Sequence, residues 1–251
     1  MELSFTKMHG IGNDYIYVNC MDQEIDQPEQ VAKIVSDRHF GIGSDGLVLI
    51  LPSERADFRM RMFNADGSEG KMCGNASRCI AKYVYDRHLT NKKNITLETL
   101  SGVKTLSLEI TDGHVTNVTV NMGKAVLTPR IIPVATEQEE PLINQPVQIG
   151  EEKSYITCVS MGNPHAVVFL DDIASLDLPA VGPLYENNPL FPDRINTEFV
   201  RVIDRQMLEM RVWERGSGET MACGTGACAS VVAAILNHYC SYDEKITVRL
   251  L

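Results

Sequence analysis

The chain has 251 residues, 44% of them hydrophobic, and a formal net charge of −10. That length suits one large domain or two of about 120 residues, each able to bury a core. The acidic balance argues against nucleic acid or an anionic membrane as partner. No apolar run approaches the ~20 residues of a membrane helix, and the opening MELSFTKMHG has no basic-then-apolar leader pattern, so a cytoplasmic location is expected.

In chain order, apolar patterning predicts a strand over 15–18 and a helix over 28–37, opened by Asp26-Gln27-Pro28. Strands follow over 47–51 and 58–63, then a helix over about 74–88, directly after Cys73. Thr111-Asp112-Gly113-His114 is a hairpin turn between strands 106–110 and 115–120. The Pro-, Glu- and Gln-rich stretch 128–150 reads as the start of a second half, with a strand over 130–134. Strands over 166–170, 199–203 and 207–213 precede a last helix over about 224–238, directly after Cys223. Many strands and few helices indicate an α+β fold rather than a doubly wound parallel sheet.

Seven cysteines are an odd count spread over a long chain, which is no disulfide framework. Their spacings lack a zinc pattern, so no metal is expected. A cysteine taken at random is a buried filler. Two of the seven stand apart. An offset of 150 residues carries Cys73-Gly74 onto Cys223-Gly224, Gly12-Asn13 onto Gly162-Asn163, Met60-Arg61 onto Met210-Arg211 and Glu69 onto Glu219. Distinctive local motifs coincide in one register, which predicts two similar lobes, 1–120 and 121–251.

Each cysteine precedes a glycine and a capping-type residue, Asn75 or Thr225. A helix N-terminus there is expected to lower the thiol pKa and to bind a carboxylate with its free amides. Two such devices facing each other across a cleft would invert a stereocentre, one thiolate removing an α-proton while the opposite thiol supplies another. No cofactor is needed for that scheme. A redox pair is the competing reading, although the C-x-x-C of a thioredoxin-like site is absent, and simple packing is another. Three pairs of polar loops would supply contacts: HGIGND with MGNPH, GIGSDG with RINTEF, and FNADGSE with WERGSGE. No phosphate-loop lysine or G-x-G-x-x-G is present. Arg215 suits a bidentate grip on a carboxylate; the blander reading of Glu214 and Arg215 is a surface ion pair.

FNADGSE…MCGNASRC, GNPH, RINTEFV and above all ERGSGETMACGTGACA resemble the diaminopimelate epimerase family, over nearly the whole chain. The resemblance implies two pseudo-symmetric lobes, each a curved or barrel-like, mainly antiparallel sheet around a central helix. It implies a cofactor-independent two-base epimerase interconverting L,L- and meso-diaminopimelate, for lysine and peptidoglycan synthesis. Cys73 and Cys223 then resemble the catalytic bases. Gly74-Asn75 and Gly224-Thr225 resemble the cradle of the α-carboxylate. Asn13, Asn64, Asn163, Asn196, Glu214 and Arg215 resemble the side chains that recognise the substrate, a small diamino dicarboxylate. Arg215 suits the distal carboxylate and Glu214 an ammonium. His165 and Glu214 are similar to residues that tune the thiols, while a His after Asn-Pro also suits a structural turn. A homodimer is expected as well.

The chain departs from the family pattern in three places. Gly46 stands where some members carry Gln, CGNASRC replaces CGNGARC, and a further Gly-rich hairpin is expected after EKITVRLL. A proline or hydroxyproline racemase of the same fold is the nearest alternative, but its CGH motif has Asn75 in place of the His. A non-catalytic amino-acid-binding protein is the other, and would have no use for paired helix-start thiols.

Overall fold

The computed structural model describes residues 3–250; residues 1, 2 and 251, on which the outer bounds of the expected lobes fall, lie outside the described residues. The chain divides into two compact units, Met1–Met122 and Gly123–Leu251. Among the described residues no helix is long and apolar enough to cross a membrane.

The first unit runs β1 (Thr6–Gly10), β2 (Asn13–Asn19), α1 (Pro28–Ser36), β3 (Gly46–Leu51), β4 (Phe58–Asn64), β5 (Glu69–Gly70), α2 (Gly74–Asp86), β6 (Asn94–Thr99), β7 (Gly102–Thr111) and β8 (His114–Val120). The sheet order is β1-β2-β3-β4-β6-β7-β8, with β5 on β4. Helix α2 packs against β1 at one end of that order and against β7 and β8 at the other. A flat sheet cannot meet one helix at both ends, so this sheet curls around α2. The helix offers Ala76, Ile80 and Val84, four residues apart, with Ala81 beside them, as one apolar face. That face packs on Tyr15, Tyr17, Val48, Ile50 and Met60.

The same strands bury their other face too. Ile16, Val18, Leu47 and Leu49 pack with Ala32 of α1. Burial on both sides explains why Tyr15-Ile16-Tyr17-Val18 is apolar at every position rather than at every second one. The β7–β8 hairpin turns at Asp112 (φ 51) and Gly113 (φ 81), the left-handed pair that an Asp-Gly turn supplies.

The second unit runs β9 (Gln145–Ile149), β10 (Glu152–Ser160), β11 (Pro164–Phe169), α3 (Leu178–Glu186), β12 (Asn196–Asp204), β13 (Met207–Glu214), β14 (Gly218–Thr220), α4 (Gly224–Leu236) and β15 (Thr247–Leu250). Its sheet order is β14-β13-β12-β11-β10-β9, with β15 on β13, and α4 packs on β10 to β13. The pairings repeat the first unit: β10–β11 antiparallel as β1–β2, β11–β12 parallel as β2–β3, β12–β13 antiparallel as β3–β4, and β13–β15 parallel as β4–β6. The register repeats for β2–β3, β3–β4 and β4–β5, and is one residue off in β10–β11 and β13–β15. Met62 faces Gly70 and Val212 faces Thr220, at the offset that also separates α1 from α3 and α2 from α4.

One sequence expectation needs correction, and one helix needs adding. Residues 130–134 are not a strand. Pro129–Ile131 form a 3-10 turn, and Val134 N–H bonds back to Pro129 O at 2.8 Å. Pro129 and Pro133 have no N–H for a ladder, so the segment closes on itself. Helix α3, over which no element was expected, contains Pro179, Gly182 and Pro183. Pro179 suits the first turn, and Asp177 caps the helix by accepting from Ala180 N–H at 3.3 Å. Gly182 is required by packing: a Cβ there would sit 2.3 Å from the Trp213 ring. Gly182→Ala is therefore expected to cost roughly 1–3 kcal/mol through overpacking, read as a lower urea midpoint. An unchanged midpoint would show that α3 can withdraw from the indole.

Candidate active site

Cys73 and Cys223 are themselves the N-caps of α2 and α4. Both have extended backbone (φ −136, ψ 118 and φ −123, ψ 108). Cys73 Sγ accepts from Ala76 N–H at 3.4 Å, and Cys223 Sγ from Gly226 N–H at 3.3 Å. Sulfur thus takes the place usually filled by a Ser or Asp oxygen. Asn75 and Thr225, the capping types in the sequence, sit one turn position further in. The amides of Gly74, Asn75, Gly224 and Thr225 precede the first intrahelical bonds, Ser77 N–H to Cys73 O and Ala227 N–H to Cys223 O, both 2.9 Å. Such leading amides are a ready carboxylate cradle.

Around Cys73, the thiol donates to Asn13 Oδ1 at 3.6 Å, which also receives Asn75 Nδ2 at 3.4 Å. Asn13 Nδ2 donates to Asp45 Oδ2 at 2.8 Å, and Arg78 donates to Asn75 Oδ1 at 2.6 Å. The Asn13 loop is anchored by Asp14, which pairs with Lys7 at 3.0 Å and Arg38 at 2.8 Å. Burial pushes the Asp14 carboxyl up, but bonds from Arg38 and Lys7 win and hold it below the usual range. Asp45 N–H donates to Asp14 O (2.7 Å) and Ala65 N–H to Asp45 O (3.0 Å), which strings the three loops together.

The second unit strings its loops by a different group. Asn196 Nδ2 donates to Pro164 O (2.9 Å), and Asn196 Oδ1 accepts from Arg215 N–H (3.0 Å). A side-chain amide does there what the Asp45 peptide does in the first unit, and both ends of Asn196 are engaged. Asn64 holds its own hairpin by donating to Ser68 Oγ at 3.0 Å. Arg215 is exposed, and its guanidinium rests on Asp193 O at 3.0 Å. Among the described residues it forms no ion pair with Glu214, so that blander reading falls. Gly46, where a Gln was considered, is closed to any side chain on this backbone: a Cβ would lie 2.0 Å from Phe63 O.

Around Cys223 the surroundings are carboxylates and hydroxyls. Thr225 Oγ1 lies 3.4 Å from its Sγ, and Asn163 Nδ2 donates to Thr225 Oγ1 at 3.2 Å. His165 Nε2 meets Asn163 Oδ1 at 3.0 Å, and His165 Nδ1 meets Glu198 Oε1 at 2.7 Å. His165 and Glu198 are fully buried, so His165 is no turn residue. Glu198 was missed as a candidate although it lies within RINTEF. The available signal was a Glu inside the apolar strand run, which needs a buried partner. Glu214 takes a short hydrogen bond from Thr220 Oγ1 and lies within bonding reach of the Cys223 thiol.

Burial pushes the Cys223 thiol well above its ordinary value, and the Glu214 and Glu198 carboxylates push the same way. Thr225 and the Gly226 amide pull it down without prevailing. The expectation that a helix start lowers this thiol is thus corrected by desolvation. Burial likewise raises Glu214, against the bonds from Thr220 and Cys223. Cys20, Cys79 and Cys240 are raised mainly by burial, and Cys158 is pushed up to about 12.

Residues 5–128 and 157–251 match the family model for diaminopimelate epimerase. A diaminopimelate epimerase of Acetivibrio thermocellus is 59% identical, over 99% of this chain and 88% of its own length. One of Agathobacter rectalis is 54% identical, again over 99% and 88%. Among solved structures, a probable proline racemase from Agrobacterium radiobacter has a TM-score of 0.69 at 13% identity, covering 94% of this chain and 78% of that one. At that identity the likeness speaks for the fold alone.

Since Glu214 helps to keep the Cys223 thiol protonated, Glu214→Gln is expected to move the thiolate absorbance of Cys223 to lower pH. A titration of the variant against the wild type, each with its Cys223→Ser counterpart as blank, reads the shift. An unchanged midpoint would remove Glu214 from the control of this thiol.

Proposed function

The chain belongs to the diaminopimelate epimerase family, and from that premise we propose that it interconverts L,L- and meso-diaminopimelate by passing an α-proton between Cys73 and Cys223. The observation that carries the reading is one thiol capping the corresponding helix in each of two units of the same topology. One thiolate takes the α-proton, and the other thiol gives a proton to the opposite face of the carbon. One C–H bond breaks, another forms, and the configuration inverts. The enzyme ends with its two sulfurs in exchanged protonation states. Charge that develops on the α-carboxylate as the proton leaves is met by the amides of Gly74-Asn75 and Gly224-Thr225. The raised Cys223 thiol suits the part of resting acid.

The distal end of the substrate carries a second carboxylate and ammonium, for which Arg215 and Glu214 are the matching charges. Asn13 and Asn163 stand beside the two thiol turns, and with Asn64 and Asn196, which also hold their loops, they complete the polar lining. His165 tunes Cys223 through its neighbours. No metal or organic cofactor enters this scheme. The two compact units support lobes of 1–120 and 121–251. Free thiols as acid and base suit the reducing cytoplasm. A homodimer belongs to the same reading, and a solution mass tests it.

Incubation with L,L-diaminopimelate in deuterated water under reductant, without added cofactor, is expected to exchange the α-hydrogen, followed by NMR. Exchange no faster than in a Cys73→Ala/Cys223→Ala double variant sinks the assignment, and exchange of proline instead would transfer it to the racemase alternative. Cys73→Ser and Cys223→Ser are each expected to lose about a hundredfold or more in turnover, the worth of a positioned acid or base. Cys20→Ser and Cys240→Ser are expected to lose little. If Cys20 proved as essential as Cys73, the correspondence of the two lobes would be wrong.

A further inference from the structure

Five side chains of the second unit form one continuous chain: Glu198 Oε1 to His165 Nδ1 (2.7 Å), His165 Nε2 to Asn163 Oδ1 (3.0 Å), Asn163 Nδ2 to Thr225 Oγ1 (3.2 Å), and Thr225 Oγ1 to Cys223 Sγ (3.4 Å). Valence fixes most of the hydrogens on this chain. An amide oxygen can only accept, so His165 Nε2 carries a hydrogen. Asn163 Nδ2 can only donate, so it occupies a lone pair of Thr225 and leaves the Thr225 hydrogen available to the sulfur when Cys223 is a thiolate; beside the thiol either atom can donate. At the far end, two lone pairs cannot face each other at 2.7 Å, so one hydrogen lies between His165 Nδ1 and Glu198 Oε1.

We infer that Glu198 is a positioning residue for the reaction, locking the ring of His165 so that the chain ends with a hydroxyl aimed at Cys223. Three further observations support it. Glu198 is fully buried, and its Oε2 has no hydrogen-bond partner among the described residues, so a purely structural account leaves half of the carboxylate unexplained. The carboxylate is pressed against the first turn of α4, since a Cβ at Gly226 would lie 2.5 Å from Glu198 Oε1. Finally, the partners it orders run in an unbroken line to the sulfur. Without Glu198, a neutral His165 can place its hydrogen on Nδ1. Asn163 would then turn over, and Thr225 would donate to the Asn163 oxygen rather than to the thiolate. The donor that supports Cys223 as a base would be lost, while the charged groups assigned to the distal end of the substrate, Glu214 and Arg215, are left as they are.

The inference rests on Cys223 being one of the two acid–base thiols, a premise that Cys223→Ser tests by itself. Glu198→Met is expected to lower kcat about tenfold or more, as for a lost hydrogen bond to a charged group, with KM within about twofold. Glu198→Gln, whose amide can donate to Nδ1 and keep the ring in place, should restore most of that loss. Thr225→Val removes the last link, so Glu198→Met added to it should cost nothing more. Additive losses, a change in KM alone, or Glu198→Gln as poor as Glu198→Met would each overturn the inference. If Glu198→Met does not fold, nitrogen-15 NMR of His165 in the wild-type protein decides. A hydrogen on Nε2 is expected, and a bare Nε2 overturns the inference whether or not the protein proves to be an epimerase.

Discussion

A cysteine sulfur in the capping position of a helix ties the rest of this protein together. A cap must be extended backbone with an acceptor atom turned back over the first turn, and Cys73 and Cys223 meet both demands. Sulfur is a weak acceptor, and an oxygen would hold the helix better. What sulfur adds is acidity and nucleophilic softness at the one place where backbone amides also converge. The two curled sheets around α2 and α4 can be read as the means of presenting that corner. Each sheet fixes its helix along the apolar face and leaves the N-terminus beside the polar loops.

The two units reach the same end with different groups. In the first, peptide bonds at Asp45 link the loops; in the second, the side chain of Asn196 replaces them. In the first, an amide oxygen of Asn13 faces the thiol; in the second, a hydroxyl and two carboxylates surround it. A repeated topology thus carries two distinct chemical environments. The difference sets the two thiols apart in acidity, since the carboxylates stand beside Cys223.

Much of this was legible in the sequence because it depends on local grammar. Gly after Cys, an apolar helical face and an Asp-Gly turn are each readable within a few residues, and the common offset joined Cys73 to Cys223 before any contact was known. What was not legible depends on tertiary neighbours. Helix α3 was not expected, and its Gly182 has its reason only in the Trp213 ring against it. The segment after Thr128 looks like a strand until its two prolines close it into a turn. That Asn196 also ties two loops, with one backbone bond at each end of its amide, shows only in the fold. Glu198 carried a signal, a charge in a buried strand, but its partner His165 lies 33 residues away and only the β11–β12 pairing brings the two together.

The thiol itself shows why magnitudes matter more than motifs. A helix N-terminus favours a negative charge by about 0.3–1 kcal/mol, up to ~2 in the best geometry. Full burial can move a pKa by up to 3–5 units, each worth ~1.4 kcal/mol, and always against the charged form. At Cys223 both act, together with two carboxylates of the same sign as the thiolate, so the thiol must end up raised. A helix start alone therefore does not make an active thiolate. At Cys223 it lowers the cost of a thiolate, and it does so together with Thr225. The hydroxyl and the Gly226 amide are the two groups that oppose burial at the sulfur. Whatever fixes the direction of that hydroxyl sets how far Thr225 can offset burial at the sulfur.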